Sequence, residues 1–172
     1  MKNQKGFSLI ELLIVVVIIG IIAAIAIPNL LAARRSANEG SAVSAMRTLH
    51  GAQMTYGATQ GAGQYAGAAA NGLTGLASLN GAGMVDATLG SGAKSGYNFT
   101  GGVIAGTTST PAQFWFSSAP QTATGVTQTG TRKFGISTDG VIFFNATQGA
   151  TLATQFANIT AIQASANTVL GN

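Results

Sequence analysis

The sequence predicts an α+β fold, in which a long N-terminal helix packs through its C-terminal half on a small antiparallel β-sheet. An apolar run starts at Phe7 and lasts to Ile27. Apolar residues then recur at spacings of three and four as far as Tyr56, which is the period of a helix. After residue 95, short aromatic and aliphatic runs alternate with turn residues, a pattern typical of strands. A helix followed by strands favours the α+β class.

The apolar run is long enough to cross a membrane. It has 21 residues, from Phe7 to Ile27, and about 20 residues span the ~30 Å hydrocarbon core as a helix. Lys2 and Lys5 precede the run, and this charge bias favours a cytoplasmic N-terminus. Arg34 and Arg35 follow it and weaken the bias. Residues 7–28 are therefore predicted to be a membrane-spanning half of the helix.

Glu11 lies within the apolar run, four residues after its start. A carboxylate at such a depth in lipid costs several kcal/mol unless it finds a partner, so Glu11 indicates a function. The Ser8-x-x-Glu11 pattern also matches a capping box, in which the two side chains bond free N–H groups at the helix start. These two roles are compatible. If the chain were cut before Phe7, the new α-amino group would supply the cation that Glu11 needs.

A secretory signal peptide is the alternative explanation of this segment. Ala24-Ile25-Ala26 has the small-residue pattern of a signal-peptidase site. However, the apolar run is longer than the ~7–15 residues typical of signal peptides, and it contains a Glu. Sequencing the mature N-terminus would separate the two explanations.

A basic leader, MKNQKG, ends directly before the apolar run, and the motif Gly6-Phe7-Ser8-Leu9-Ile10-Glu11 follows. Together with Pro28, this segment resembles the processing signal of type IV pilins and of the pseudopilins of type II secretion systems. The resemblance implies that a prepilin peptidase cuts between Gly6 and Phe7 and methylates the new amine of Phe7. It also implies that Glu11 of an incoming subunit neutralises the Phe7 amine of a subunit already assembled.

The helix is expected to continue through residues 29–56. Its apolar residues face one side and are predicted to pack on the sheet: Ala42, Ala45, Met46, Leu49, Ala52 and Tyr56. Gly20 and Pro28 are weak points, because glycine lowers helix propensity and proline removes a backbone hydrogen bond. In a monomer Pro28 is expected to kink the helix. The family resemblance implies that the segment between Gly20 and Pro28 melts in a fibre.

The exported domain is predicted to comprise residues 29–172. After the helix 29–56, its residues fall into three segments of different composition. Residues 57–95 are rich in Gly and Ala and are predicted to be a loop with one or two short helical turns. Residues 96–145 are predicted to form the sheet, with three or four antiparallel strands near residues 96–100, 113–117, 132–136 and 141–144. Asp139-Gly140 between two such runs is a strong hairpin signal. The tail, residues 146–172, is compatible with either a helix or an extended surface flap.

Composition argues against several functional classes. Charged residues make up 7% of the 172 residues, and the formal charge is +4. Two of the eight basic residues lie in the leader, which leaves six against four acids, too few and too scattered to predict specific nucleic-acid binding. The chain has no cysteine and one histidine, His50. We therefore predict no disulfide, metal site, cofactor or catalytic group, and no enzymatic activity.

The function predicted from these features is structural. The resemblance implies a homo-oligomeric helical filament of the type IV pilus kind, built at the cell surface from a precursor held in the inner membrane with its C-terminal domain outside. The implied partners are the prepilin peptidase and methylase and the inner-membrane assembly platform of a pilus or a type II secretion system. One alternative is a type II pseudopilin, although these generally use C-terminal acidic side chains to hold calcium, and Asp139 is the one acid after residue 100. Another alternative is a membrane-anchored surface adhesin or binding module.

Overall fold

The structure is a computed structural model that describes residues 6–69, 72–146, 155–164 and 166–171. The predicted leader residues before Gly6, including Lys2 and Lys5, lie outside this range. The chain divides into two compact units, Met1–Arg34 and Arg35–Asn172. Its helices are α1 Leu9–Thr59, α2 Thr74–Gly81, α3 Ala87–Gly90 and α4 Ile159–Ile162. Its strands are β1 Ala93–Lys94, β2 Tyr97–Ile104, β3 Gln113–Pro120, β4 Lys133–Ser137, β5 Ile142–Asn145 and β6 Thr168–Val169.

The second unit contains an antiparallel sheet in which each strand pairs with its neighbour in sequence, in the order β1-β2-β3-β4-β5-β6. With α1, this sheet confirms the predicted α+β fold class. The prediction of three or four strands is wrong, because the described part of the chain forms a sheet of six. The two missed strands, β1 and β6, lie at the edges and have two residues each. Such short strands contain no alternating pattern from which a sequence could predict them.

The hairpin predicted at Asp139-Gly140 joins β4 to β5. The Gly140 N–H donates to the Ser137 carbonyl at 2.9 Å, and Gly140 has φ +76°. This left-handed conformation suits a residue without a Cβ. The Asp139 carboxylate accepts from the Ser137 hydroxyl at 2.7 Å and from the Val141 N–H at 3.3 Å, which fixes the turn.

The sheet is covered on both faces. On one face lies the predicted stripe of α1, of which Met46 and Leu49 are fully buried. On the other face, Trp115 of β3 packs with Phe156 and Ile162 of the C-terminal tail. Seven of the eight residues of β3 are consequently buried. The described part of the tail contains both a helical turn, α4, and an extended edge strand, β6, whereas the sequence left a helix and an extended flap as alternatives. Residues 147–154 of the predicted tail lie outside the described range.

The Gly- and Ala-rich segment between α1 and β2 contains α2 and α3. The helix α1 ends at Thr59, three residues beyond the predicted Tyr56. The buried Gln53 side chain holds the following turn against α1, because it donates to the Ala66 carbonyl at 2.7 Å and accepts from the Ala66 N–H at 2.9 Å. Satisfying both groups of one residue fixes the direction in which the chain leaves the helix.

Candidate functional site

Glu11 lies in the first turn of α1, and the predicted cleavage site, Gly6 and Phe7, lies just before the helix start. The helix begins at Leu9, directly after Ser8. The Glu11 carboxylate turns back and accepts a hydrogen bond from the Ser8 backbone N–H at 3.0 Å. This contact is one half of the capping box that the sequence predicts. The Glu11 carboxylate bonds to the N–H of Ser8, the residue that follows Phe7. An amine created at Phe7 would therefore lie one residue from the N–H that binds this carboxylate.

The apolar half of α1 makes almost no contact within its own unit. Its large side chains are between 46% and 80% exposed, with Phe7 and Leu9 the most exposed. By length and composition α1 can cross a membrane, and none of its most apolar window is buried in the protein. Exposed apolar surface on this scale marks a membrane or a protein interface.

Gly20 and Pro28 lie in regular helix, further along α1 than the first turn. At 1.5 Å per residue, Gly20 is about 14 Å from Glu11 along the helix axis and Pro28 about 26 Å. Pro28 has no N–H, so the carbonyl four residues earlier loses its usual donor. The Asn29 side chain adds a hydrogen bond to the neighbouring Ile25 carbonyl at 3.0 Å. The helix is nevertheless continuous at both predicted weak points.

Glu39 is a buried acid in the second unit that was not predicted from the sequence. Glu39 is 6% exposed and accepts four hydrogen bonds. Its Oε1 accepts from the Thr131 N–H at 2.8 Å and from the Thr131 hydroxyl at 2.7 Å. Its Oε2 accepts from Nε and Nη2 of Arg132, both at 2.7 Å. A signal was present, because Glu39 lies three residues before Ala42 and so continues the buried stripe of α1.

Two opposing effects act on the Glu39 carboxyl. Burial raises its pKa, while the hydrogen bonds from Thr131 and Arg132 and the charge of Arg132 lower it. The net result is a pKa below the ordinary value of 4.5. Glu39 is therefore ionised at neutral pH, as a buried carboxylate with four donors should be.

The described residues provide little for catalysis or for a bound group. Among them, no cluster of three or more His, Asp or Glu side chains is placed to hold a metal ion. His50 contacts the Thr138 carbonyl at 3.3 Å and packs on the Phe114 ring. An open cavity of ≈ 320 Å³ lies between Arg47 and the β4–β5 turn, and no hydroxyl, thiol or imidazole lines it. We identify no catalytic constellation in these residues.

Comparison with known proteins identifies the N-terminal segment. Residues 1–27 match the family described as the prokaryotic N-terminal methylation motif. The chain is 69% identical over 39 residues to the type IV wide pilus major component PilA4 of Thermus thermophilus, covering 23% of this chain and 30% of that protein. No solved structure gives a significant match.

Two further relatives belong to different systems, one a type IV pilin and one a type II secretion protein. Over 54 residues the chain is 46% identical to the type IV major pilin PilA of Myxococcus xanthus, covering 31% of this chain and 24% of that protein. Over 56 residues it is 38% identical to the type II secretion system core protein G of Klebsiella pneumoniae, covering 33% and 40%. The chain thus spans less than half the length of these relatives. Over its N-terminal segment, the chain is thus similar both to type IV pilins and to a type II secretion core protein.

Proposed function

We propose that this chain, which carries the N-terminal methylation motif of type IV pilins and pseudopilins, is the structural subunit of a type IV pilus-like filament. The precursor is held in the inner membrane, processed between Gly6 and Phe7 and methylated at Phe7. It then polymerises through the apolar half of α1. The observation that carries this proposal is the exposed apolar helix with Glu11 bound at its first turn.

The exposure of the apolar helix fits a subunit with two successive environments. Lipid can solvate the segment before assembly, because its backbone groups bond within the helix except near the helix start and at the carbonyl that Pro28 leaves without a donor. After assembly, copies of the same helix replace the lipid and bury the same side chains. A helix used only as an anchor would need no carboxylate, so Glu11 favours a subunit over a membrane-anchored adhesin or binding module.

Pairing of Glu11 with an amine gives assembly its specificity. Inside the subunit, the carboxylate has one hydrogen bond, from the Ser8 N–H. The methylated amine of Phe7 on a neighbouring subunit would supply the opposite charge that an apolar fibre core demands. Assembly would therefore add a partner to a carboxylate that is only partly satisfied in the monomer.

The second unit favours a pilus over a type II secretion pseudopilus, the alternative within the family. Asp139 is the one acid after residue 100. Its carboxylate accepts hydrogen bonds from Ser137, Val141 and the Gln163 side chain, the last at 3.0 Å. Both carboxylate oxygens of Asp139 thus already accept hydrogen bonds from the protein, which makes Asp139 unsuited to bind calcium. The partners we expect are the prepilin peptidase and the inner-membrane assembly platform of a pilus.

The proposal is tested by replacing Glu11 in cells in which the variant is the sole copy. Glu11→Ala should insert in the membrane at least as well as the wild type, because a charge is removed from lipid. Fibre yield should fall strongly, since a broken buried pair leaves the amine unpaired at a penalty of ~3–5 kcal/mol. Sheared surface fibres would be counted by electron microscopy and their subunit measured by intact-mass spectrometry.

Asp86→Asn is the matched control. It removes an exposed acid that pairs with Lys94 in the second unit, so fibre yield should stay at the wild-type level. Wild-type fibre yields from Glu11→Ala would contradict the assembly role. Wild-type cells that secrete protein but shed no fibres of this subunit would favour the pseudopilus.

A further inference from the structure

The loop between β3 and β4 is attached to α1 at three positions of one helix face. Arg35, Asn38 and Glu39 each bond to this loop, residues 121–132. Their spacing of three and four residues places them side by side on the helix. We call these three residues with Gln128, Thr129, Thr131 and Arg132 the β3–β4 clamp. All of them belong to the second unit, and the proposed assembly uses none of them.

One half of the clamp does not depend on a carboxylate. The Arg35 guanidinium donates from Nη1 to the Gln128 side-chain carbonyl at 2.8 Å, and the Asn38 amide donates to the Thr129 carbonyl at 2.9 Å. The loop also bonds to itself, since the Thr129 N–H donates to the Thr122 carbonyl at 2.9 Å. Arginine remains charged at all pH values that proteins tolerate, so these contacts persist in acid.

The other half depends on Glu39 alone. Both Thr131 donors and both Arg132 nitrogens end on its two oxygens. The Arg132 guanidinium also lies over the rings of Phe134 and Phe144, with Cζ 5.6 and 5.2 Å from the centroids. These rings hold the arginine in place but offer no charge to replace the carboxylate.

The other charged and titratable groups around Glu39 are the following. Arg35 precedes it by one turn of α1. Tyr97 of β2 donates its hydroxyl to the Arg132 carbonyl at 2.9 Å. Lys133 begins β4 and lies over the Phe156 ring on the other side of the sheet, and Lys94 of β1 is bonded to Asp86. Of the groups named here, only the carboxyls of Glu39 and Asp86 change charge in the acidic range, and of these two it is Glu39 that bonds to the loop.

We infer that the β3–β4 clamp is an acid-sensitive latch, which holds the Thr131–Arg132 end of the loop on α1 at neutral pH and releases that end in acid while the sheet stays folded. Protonating Glu39 removes the charge that Arg132 needs and converts one acceptor oxygen to a donor. The loop then retains only the contacts of Arg35 and Asn38. Release exposes the backbone of Thr131 and Arg132 and the Glu39 position of α1 to solvent, while Gln128 and Thr129 stay bonded to α1.

The direction of the pH effect follows from the depressed pKa of Glu39. A carboxyl that is more acidic in the folded protein stabilises it above the unfolded-state pKa, close to 4.5. That stabilisation is lost as the pH falls through the lower folded-state value. The release should be local, because β3 and β4 remain joined through four paired positions and their core is apolar.

Hydrogen exchange measured by mass spectrometry on the full chain in detergent micelles tests the latch. Exchange would be compared at about pH 6 and about pH 3, after correction for intrinsic rates. In the wild type, protection of the Thr131 amide should fall by about tenfold or more in acid, since a hydrogen bond to a charged group favours the closed loop by about that factor. Peptides from β3 and β4 should keep their protection.

Glu39→Gln should lower the protection of the loop below that of the wild type at about pH 6. Acidification to about pH 3 should not lower the protection of this variant any further. Asp86→Asn, which removes an exposed acid elsewhere in the unit, should respond to pH as the wild type does. The latch is refuted if Glu39→Gln keeps the full pH response, or if loop and strands lose protection together. A carbon-13 titration of Glu39 in the wild type needs no variant, and its midpoint must coincide with the loss of protection.

Discussion

Gly135→Ala should destabilise the packing of the C-terminal tail on the sheet. Gly135 lies in β4, paired with Ser117 on one side and Phe143 on the other. A Cβ at this position would lie 2.8 Å from both Ile162 Cγ1 and Phe156 Cδ2. Both side chains are buried, Ile162 completely and Phe156 to within 4%. Neither can therefore move aside into solvent without leaving the Trp115 cluster.

The size of the effect follows from these contacts. Adding a methyl group to a packed core costs about 1–3 kcal/mol, as side chains and backbone shift to accept it. The alternative is detachment of the tail, which would expose Phe156 and Ile162 at about 1.5–3 kcal/mol each. Overpacking is the cheaper outcome, and it corresponds to a fall in melting temperature of about 2–12 °C for a chain of this size.

The assay uses the one tryptophan of the chain, Trp115, which packs against the tail. Thermal unfolding of the full chain in detergent micelles would be followed by its fluorescence. Gly51→Ala is the matched control, because its Cβ would meet nothing within 4 Å on the exposed side of α1. This control should raise stability by about 0.5–1 kcal/mol, since alanine is the better helix former. If Gly135→Ala unfolds and fluoresces as the wild type does, the tail does not pack on this face.

Two further predictions concern the N-terminal segment. Gly6→Val should leave an unprocessed precursor in the membrane, because a branched side chain would collide in the peptidase site; intact-mass data showing Met1 in surface fibres of the wild type would contradict the processing scheme. The backbone between Gly20 and Pro28 should lose helical order in the fibre while it stays helical in the membrane-bound monomer, where lipid offers no partner for an unpaired backbone group. A fibre reconstruction with unbroken helix from Ser8 to Tyr56 would rule this out.

The two features of the sheet domain that the sequence predicted best are both local. The α1 stripe was visible because its residues recur at helical spacing, and the hairpin because Asp139-Gly140 separates two apolar runs. Glu39 lay on the same stripe but was missed. Its partners, Thr131 and Arg132, are 92 and 93 residues away. Nothing in the local pattern indicates which distant donors will meet a buried acid.

The tail shows the same limit in another form. Phe156 and Ile162 are plainly apolar, yet their spacing fits no single element. Their position depends on the opposite face of β3 and on Gly135, whose missing side chain leaves the space that they fill. The two-residue strands β1 and β6 likewise exist only because longer strands lie next to them.

By itself, the sequence predicted the segment that we propose is processed and assembled, because its motif, Gly6 through Glu11, consists of neighbouring residues. It also determined the fold class, because helix and strand differ in their period. The tertiary structure alone decided the partners of Glu39, the two short edge strands β1 and β6, and the face of the sheet that the tail covers. Each of these depends on contacts between residues far apart in the chain, and such contacts are fixed only when the whole core packs.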